Sequence, residues 1–359
     1  MKGLRTLLIA GAAFLSCEVT LPPIRALAIR FGACDPLGPL KIHTKPIPRM
    51  GGVAMLAGLL AGFAVGYRWF GLRFATGLWL GLAIIFAVGL IDDLLEISPG
   101  LRLLAQAVAA AAVCWDGTRS ISVHLPALGF VIECIFVIAF INAFNFLDGA
   151  DGIAAGTSAT LAMGFVLVGK TNAVVLTAAA LLGSCLGFLV FNFPPASIFM
   201  GDCGSTTLGL LVAFLSLQFC RSLPAVDYRY IVPLLFAAVP LLDMVYAVMR
   251  RVGGKTSVTQ GDRRHCFDLL LRRGWPPRTV GLCCFCATAV TVSLGWSCLG
   301  RGPTYTFWIA ALIVAIISLI AFELGSLQGE ATSLQPAQEK PGQASCESLF
   351  QIARNTRRK

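Results

Sequence analysis
Charge is what this chain has least of. Asp, Glu, Lys and Arg make up 13% of its 359 residues, against 57% hydrophobic residues and a mean hydropathy of +0.80. An average soluble domain is about 25% charged, so a water-soluble globular protein is excluded. No internal repeat is visible, which argues against the two related halves of many secondary transporters. Histidine is nearly absent, with three in the chain, and none lies near Cys283, Cys284 and Cys286 to complete a zinc site. The thirteen cysteines, scattered through apolar segments, read instead as small buried hydrophobes.

What fills the chain is long apolar runs, each of a length that crosses about 30 Å of hydrocarbon as a helix. Eleven can be drawn: Leu4–Ile29, Met50–Gly66, Phe74–Ile91, Leu101–Trp115, Leu125–Phe146, Gly152–Val168, Ala173–Val190, Thr206–Phe219, Ile231–Val248, Thr279–Leu299 and Tyr305–Glu323. The first, whose LLIAGAAFLSC resembles a lipoprotein cleavage site, stays apolar past Cys17 and reads as an uncleaved helix. The expected fold is therefore all-α, a polytopic membrane helix bundle of about 11 spans over residues 1–325, with residues 326–359 a short disordered end rich in Gln, Ser, Gly, Glu and Pro.

An odd number of spans puts the termini on opposite sides. Eighteen Lys and Arg fall on the side of the C-terminus and nine on the side of the N-terminus, with Arg25 left inside the first helix. The positive-inside bias makes the first side cytoplasmic. The net charge of +10 then reads as orientation and as a surface suited to anionic head groups and phosphates; nucleic acid is not needed to explain it.

Five polar clusters fall on that same side: HTKPIPRMGG (His43–Gly52), IDDLLEISPGLRLLAQ (Ile91–Gln106), NAFNFLDGADG (Asn142–Gly152), FNFPPASIFMGDCGS (Phe191–Ser205) and TQGDRRHCFDLLLRRGW (Thr259–Trp275). One such cluster is an ordinary solvated turn. Five on one face, with Asp92, Asp93, Asp148, Asp151 and Asp202 at or near helix ends, point to a shared site. Neighbouring carboxylates need a compensating cation, and Mg²⁺ takes one or two carboxylates together with substrate phosphates. Lys45, Arg49, Arg102, Arg263, Arg264 and His265 could neutralise phosphate oxygens. The expectation is a metal–diphosphate site at the water boundary.

The pair Asp92–Asp93, NAFNFLDGADGIAAG, FNFPPASIFMGDCGS and DRRHCFDLLL, in this order, resemble the polyprenyl-phosphate N-acetylhexosamine-1-phosphate transferases, the glycosyltransferase 4 group that includes phospho-MurNAc-pentapeptide transferase. The resemblance spans roughly Ile42 to Trp275. It implies a bacterial inner-membrane enzyme that moves a sugar 1-phosphate from a UDP-sugar to undecaprenyl phosphate, releases UMP and uses Mg²⁺ or Mn²⁺. Its implied partners are the bilayer and a second copy of the chain, with no nucleic acid. By matching position, Asp202 resembles the metal ligand, and Asp92 and Asp93 the pair that binds or deprotonates the lipid phosphate. Asn142, Asn145, Asp148 and Asp151 resemble the nucleotide and diphosphate face, while Asn192 and Phe199 stand where uracil is paired and stacked.

Two positions depart from that pattern. After His265, where many members carry further histidines, stand Cys266, Phe267 and Asp268; and Arg102 replaces a frequent lysine. Arg49 in IPRMGG together with DRRH resembles the branch that uses UDP-GlcNAc or a related UDP-HexNAc, with MurNAc-pentapeptide as the alternative. A secondary transporter would place its acids near the bilayer midplane. A CDP-alcohol phosphotransferase would need an arginine-containing spacing after DGADG that is not found.

Overall fold
The computed structural model describes residues 2–35, 46–74, 76–95, 97–115, 126–223, 230–254 and 263–326. They form thirteen helices and one short ribbon: α1 Lys2–Arg30, β1 Cys34–Asp35, β2 Ile47–Pro48, α2 Gly51–Phe70, α3 Thr76–Leu95, α4 Pro99–Trp115, α5 Pro126–Leu147, α6 Ile153–Val168, α7 Asn172–Asn192, α8 Gly201–Arg221, α9 Ile231–Phe236, α10 Ala238–Gly253, α11 Cys266–Arg272, α12 Pro277–Ser297 and α13 Pro303–Leu324. The ribbon is antiparallel, with Cys34 opposite Pro48 and Asp35 opposite Ile47. Every apolar run read from the sequence coincides with helix. Among the described residues eight helices are long and apolar enough to span a membrane, and α4 and α6 are shorter apolar helices. The chain is a multi-pass membrane helix bundle. Position 45 and all but the first residue of the expected tail lie outside the described residues.

The ninth run is not one helix. It breaks at Ala237 into α9 and α10. Pro240 has no N–H to offer the carbonyl one turn earlier, and the Thr291 hydroxyl donates to that carbonyl, Phe236 O, at 3.1 Å instead. A polar side chain from α12 thus satisfies a backbone group that lipid could not.

At the centre stands α8, buried along nearly its whole length. Its hydroxyls can be buried because they donate back to its own carbonyls, Thr207 to Cys203 O and Ser216 to Val212 O, both at 2.7 Å. Its first turn meets α2 and α3 backbone to backbone. A Cβ on Gly52 would strike Gly204, and one on Gly89 would strike the Cys203 backbone. Such small-residue crossings let membrane helices approach closely, and here they bring the end of α3, the start of α2 and the start of α8 to one point. Leucine, isoleucine and aromatic residues on α1, α4 and α13 face outward, as lipid-facing surfaces do.

Candidate active site
The site grows from the first turn of α8. Gly201 adopts φ +73°, a conformation open to glycine, and a side chain there would collide with the Asp93 carboxylate. Asp93, in the last turn of α3, accepts from the backbone N–H of Asp202 at 2.8 Å and of Cys203 at 3.1 Å. A carboxylate from another helix thereby satisfies two of the four unpaired donors at a helix start and complements its dipole.

Asp202 is thus held half-buried on a fixed turn. Its Oδ1 accepts from Asn145 Nδ2 at 3.0 Å, and its Oδ2 is paired with Arg102 Nη1 at 3.1 Å. The same Arg102 nitrogen lies 2.9 Å from Asp92 Oδ2, while Asp92 Oδ1 accepts from Ile97 N at 2.7 Å. Arg102 therefore bridges two carboxylates of different helices. Asp148, just past α5, faces the same space. Burial, then the Asp202 and Asp93 carboxylates, push its carboxyl well above the usual range.

The wall opposite is the 193–200 loop, held at almost every residue. Asp151 accepts from Ala196 N at 2.8 Å, and Asn192 accepts from Gly152 N and donates to Ile198 O, both at 2.9 Å. Phe199 N donates to Pro48 O at 2.8 Å, and Gly51 N to Phe199 O at 2.9 Å. The loop is stitched to β2 and α2, and the Phe199 ring, half-buried, lines the cavity it encloses.

That cavity is about 700 Å³ and is lined by Asp93, Asp148, Asp151, Asn192, Phe199, Asp202, Arg49 and Arg263. A second, of about 390 Å³, has a largely apolar wall from α3, α4, α5 and α10, with Asp92, Arg102, Gln106, Asn142, Asn145 and Asp202 on its polar side. A third, more open, lies between Arg49, Asp92, Asp93, Arg102 and Asp202. Asp202 is common to all three.

Most of the residues singled out in the sequence therefore converge, and some do so in altered roles. Asn142 and Asn145 are not on the polar cavity: both line the apolar one, and Asn142 donates to Gln106 Oε1 at 2.7 Å. The Asn192 amide holds backbone at both ends. His265 is buried and lines none of the three cavities. Its Nδ1 sits 2.6 Å from Asp243 Oδ2, and its ring stacks on Phe267 at 5.3 Å. Arg264 is pinned away from the cavities, reaching Gly325 O at 3.4 Å. Arg263 is paired with Asp268 at 3.2 Å and also donates to Gly149 O. Lys45 lies outside the described residues.

Sequence reasoning missed Asp35, which forms an ion pair with Arg49 at the rim, and also Gln106 and Asp243. For Asp243 a signal existed, since an acid within an apolar run is costly and calls for a partner. Among the described residues no three acidic, histidine or cysteine side chains converge to cage a metal by themselves.

The profile of glycosyl transferase family 4 matches residues 75–220, the segment from α3 through α8 that carries most of this constellation. The chain is 30% identical, over 72% of its length and 75% of the other's, to a probable undecaprenyl-phosphate N-acetylglucosaminyl 1-phosphate transferase of Bacillus subtilis. It is 33% identical to the phospho-N-acetylmuramoyl-pentapeptide-transferase of Mycobacterium tuberculosis, over 86% of this chain and 99% of that one. A decaprenyl-phosphate N-acetylglucosaminephosphotransferase of the same species is 28% identical over 83% and 84% of the two chains. Likeness on this scale, over helices that meet at Asp202, makes this chain a member of glycosyl transferase family 4.

Proposed function
We propose that the protein transfers N-acetylhexosamine 1-phosphate, GlcNAc 1-phosphate first among the candidates, from a UDP-sugar to undecaprenyl phosphate on the cytoplasmic face of a bacterial inner membrane. The products are a polyprenyl-diphosphate-linked sugar and UMP. One observation carries the reading: Asp202 is the shared wall of a polar cavity and an apolar one. A soluble diphosphate and a lipid phosphate can meet only at such a boundary.

In this reading the lipid phosphate enters from the apolar cavity, whose wall carries the Arg102 guanidinium. Its oxygen attacks the sugar-bearing phosphorus of the diphosphate, the phosphorus–oxygen bond to the nucleoside phosphate breaks, and UMP leaves. The work of the protein is alignment and charge neutralisation. Arg263 and Arg49 line the polar cavity beside the diphosphate, and the Phe199 face is available to a base.

The donor set suits Mg²⁺. Carboxylates outnumber unpaired cations on the cavity wall, and Mg²⁺ needs only one or two of them with phosphate oxygens and water. Asp202 would hold it, with Asp148 nearby, and the ion would supply polarisation of the diphosphate.

A second reading, with UDP-MurNAc-pentapeptide as donor, is favoured by the long alignment with the Mycobacterium tuberculosis pentapeptide transferase. Purified protein incubated with undecaprenyl phosphate, Mg²⁺ and a panel of UDP-sugars, followed by UMP release and lipid product, separates the two. No UMP with any donor would overturn both.

A further inference from the structure
The polar cavity has three arginines on its wall, Arg25, Arg49 and Arg263. Two are already neutralised, Arg49 by Asp35 and Arg263 by Asp268. The third comes from α1, an element that contributes no motif. Arg25 Nε donates to Ser197 O at 2.9 Å, while Nη1 and Nη2 have no acceptor among the described residues. Its anchor is fixed, because Ser197 N and Oγ both donate to Phe191 O, at 2.8 and 2.9 Å. A guanidinium anchored through Nε keeps a planar fork of four N–H groups aimed in a set direction.

Where that fork lies decides what it can bind. Ser197 is held to Phe191 O, beside Asn192, on the loop that carries Phe199, and Asn192 and Phe199 are the two positions that resemble the uracil site; Arg25, Asn192, Ser197 and Phe199 all line this cavity. Asn192, expected to read the edge of the base, spends its amide on Gly152 N and Ile198 O. The base end of the cavity therefore needs another donor, and Arg25 carries unused ones.

We propose that Arg25 is a nucleotide-specificity residue, donating from its free fork to the C4 carbonyl oxygen of the uracil ring. This rests on the UDP-sugar reading above. Uracil presents a carbonyl where cytosine presents an amino group, which donates and cannot accept. An arginine fork at that edge favours uridine over cytidine nucleotides.

The test is direct titration of UMP and CMP into the full-length protein in lipid nanodiscs, beside steady-state transfer. Arg25→Ala is expected to weaken UMP about tenfold, the scale of a hydrogen bond from a charged donor, to leave CMP nearly unchanged, and to raise KM for the UDP-sugar with kcat within about twofold. Arg25→Lys, which keeps the charge and loses the fork, should show the same loss of discrimination. Arg25 is exposed, so neither variant should disturb the fold, and an unchanged Tm checks this. Unaltered UMP affinity would overturn the contact. Equal weakening of UMP and CMP would overturn base reading, because the contact would then be with phosphate or ribose. Wild-type protein that binds UMP yet transfers nothing from any UDP-sugar would sink the proposed reaction, while the two titrations would still decide Arg25.

Discussion
Replacing Arg102 with glutamine removes the only cation that bridges Asp92 and Asp202 among the described residues. Two unit charges about 4 Å apart attract by about 4 kcal/mol at an effective dielectric of about 20 and by about 1 kcal/mol in bulk water. The Arg102 side chain is 36% exposed, Asp202 31% and Asp92 7%, so screening takes a good part of the larger figure. The carboxylates left behind repel each other, which adds to the loss. A destabilisation of about 1–3 kcal/mol follows, or an apparent Tm lower by about 2–6 °C, read by thermal shift in detergent with EDTA. Mg²⁺ should reverse it. In the wild type the ion must displace Arg102 from Asp202, whereas in the variant it meets an unopposed pair of charges. At ten times its Kd, a ligand of the native state adds about 1.4 kcal/mol, so Mg²⁺ should raise the Tm of Arg102→Gln more than that of wild type. A variant as stable as wild type in EDTA, or equal shifts in both proteins, would refute the reasoning.

Asp202→Asn should purify and melt normally yet lose at least about 10³-fold in kcat, equivalent to about 4 kcal/mol of transition-state stabilisation; normal turnover with Mg²⁺ present would remove Asp202 from the metal site. Burial and the Asp202 and Asp93 carboxylates raise the Asp148 carboxyl, so the folded protein keeps a proton there that the unfolded chain has released. Stability should therefore fall as pH rises from the ordinary carboxylate range through the raised value, then level off; Asp148→Asn should flatten that stretch of the Tm–pH curve and abolish transfer. In a background without native cysteines, Ser98→Cys at the active-site end and Thr304→Cys at the other test sidedness. A membrane-impermeant thiol reagent on intact cells should label only the second, and labelling of Ser98→Cys would reverse the orientation.

The helices were legible because each apolar run is bounded by Gly, Pro or polar residues, and the acids were legible because so few charges punctuate the chain. The break at Ala237 was missed, although Pro233 and Pro240 flank it, since hydropathy does not register a lost N–H. What could not be read was pairing across helices. Asp35 with Arg49, Asp243 with His265 and Gln106 with Asn142 lie 14, 22 and 36 residues apart, and no local pattern links them. Asn192 shows the converse. Its position was expected from a motif, but only the fold reveals that both ends of the amide hold backbone.

The carboxylate shared by all three cavities has a consequence for how the two proposed substrates would sense one another. Whatever occupies the polar side changes the field at Asp202, and the apolar side feels the change through Arg102, which pairs with the same carboxylate. Two ligands that bias one group are linked, and the linkage is reciprocal. If the lipid tightens binding of the nucleotide by some factor, the nucleotide must tighten binding of the lipid by that same factor. A compound that joins a uridine-like head to a short isoprenoid phosphate would engage both sides of that carboxylate at once, and its affinity should exceed what the halves achieve separately.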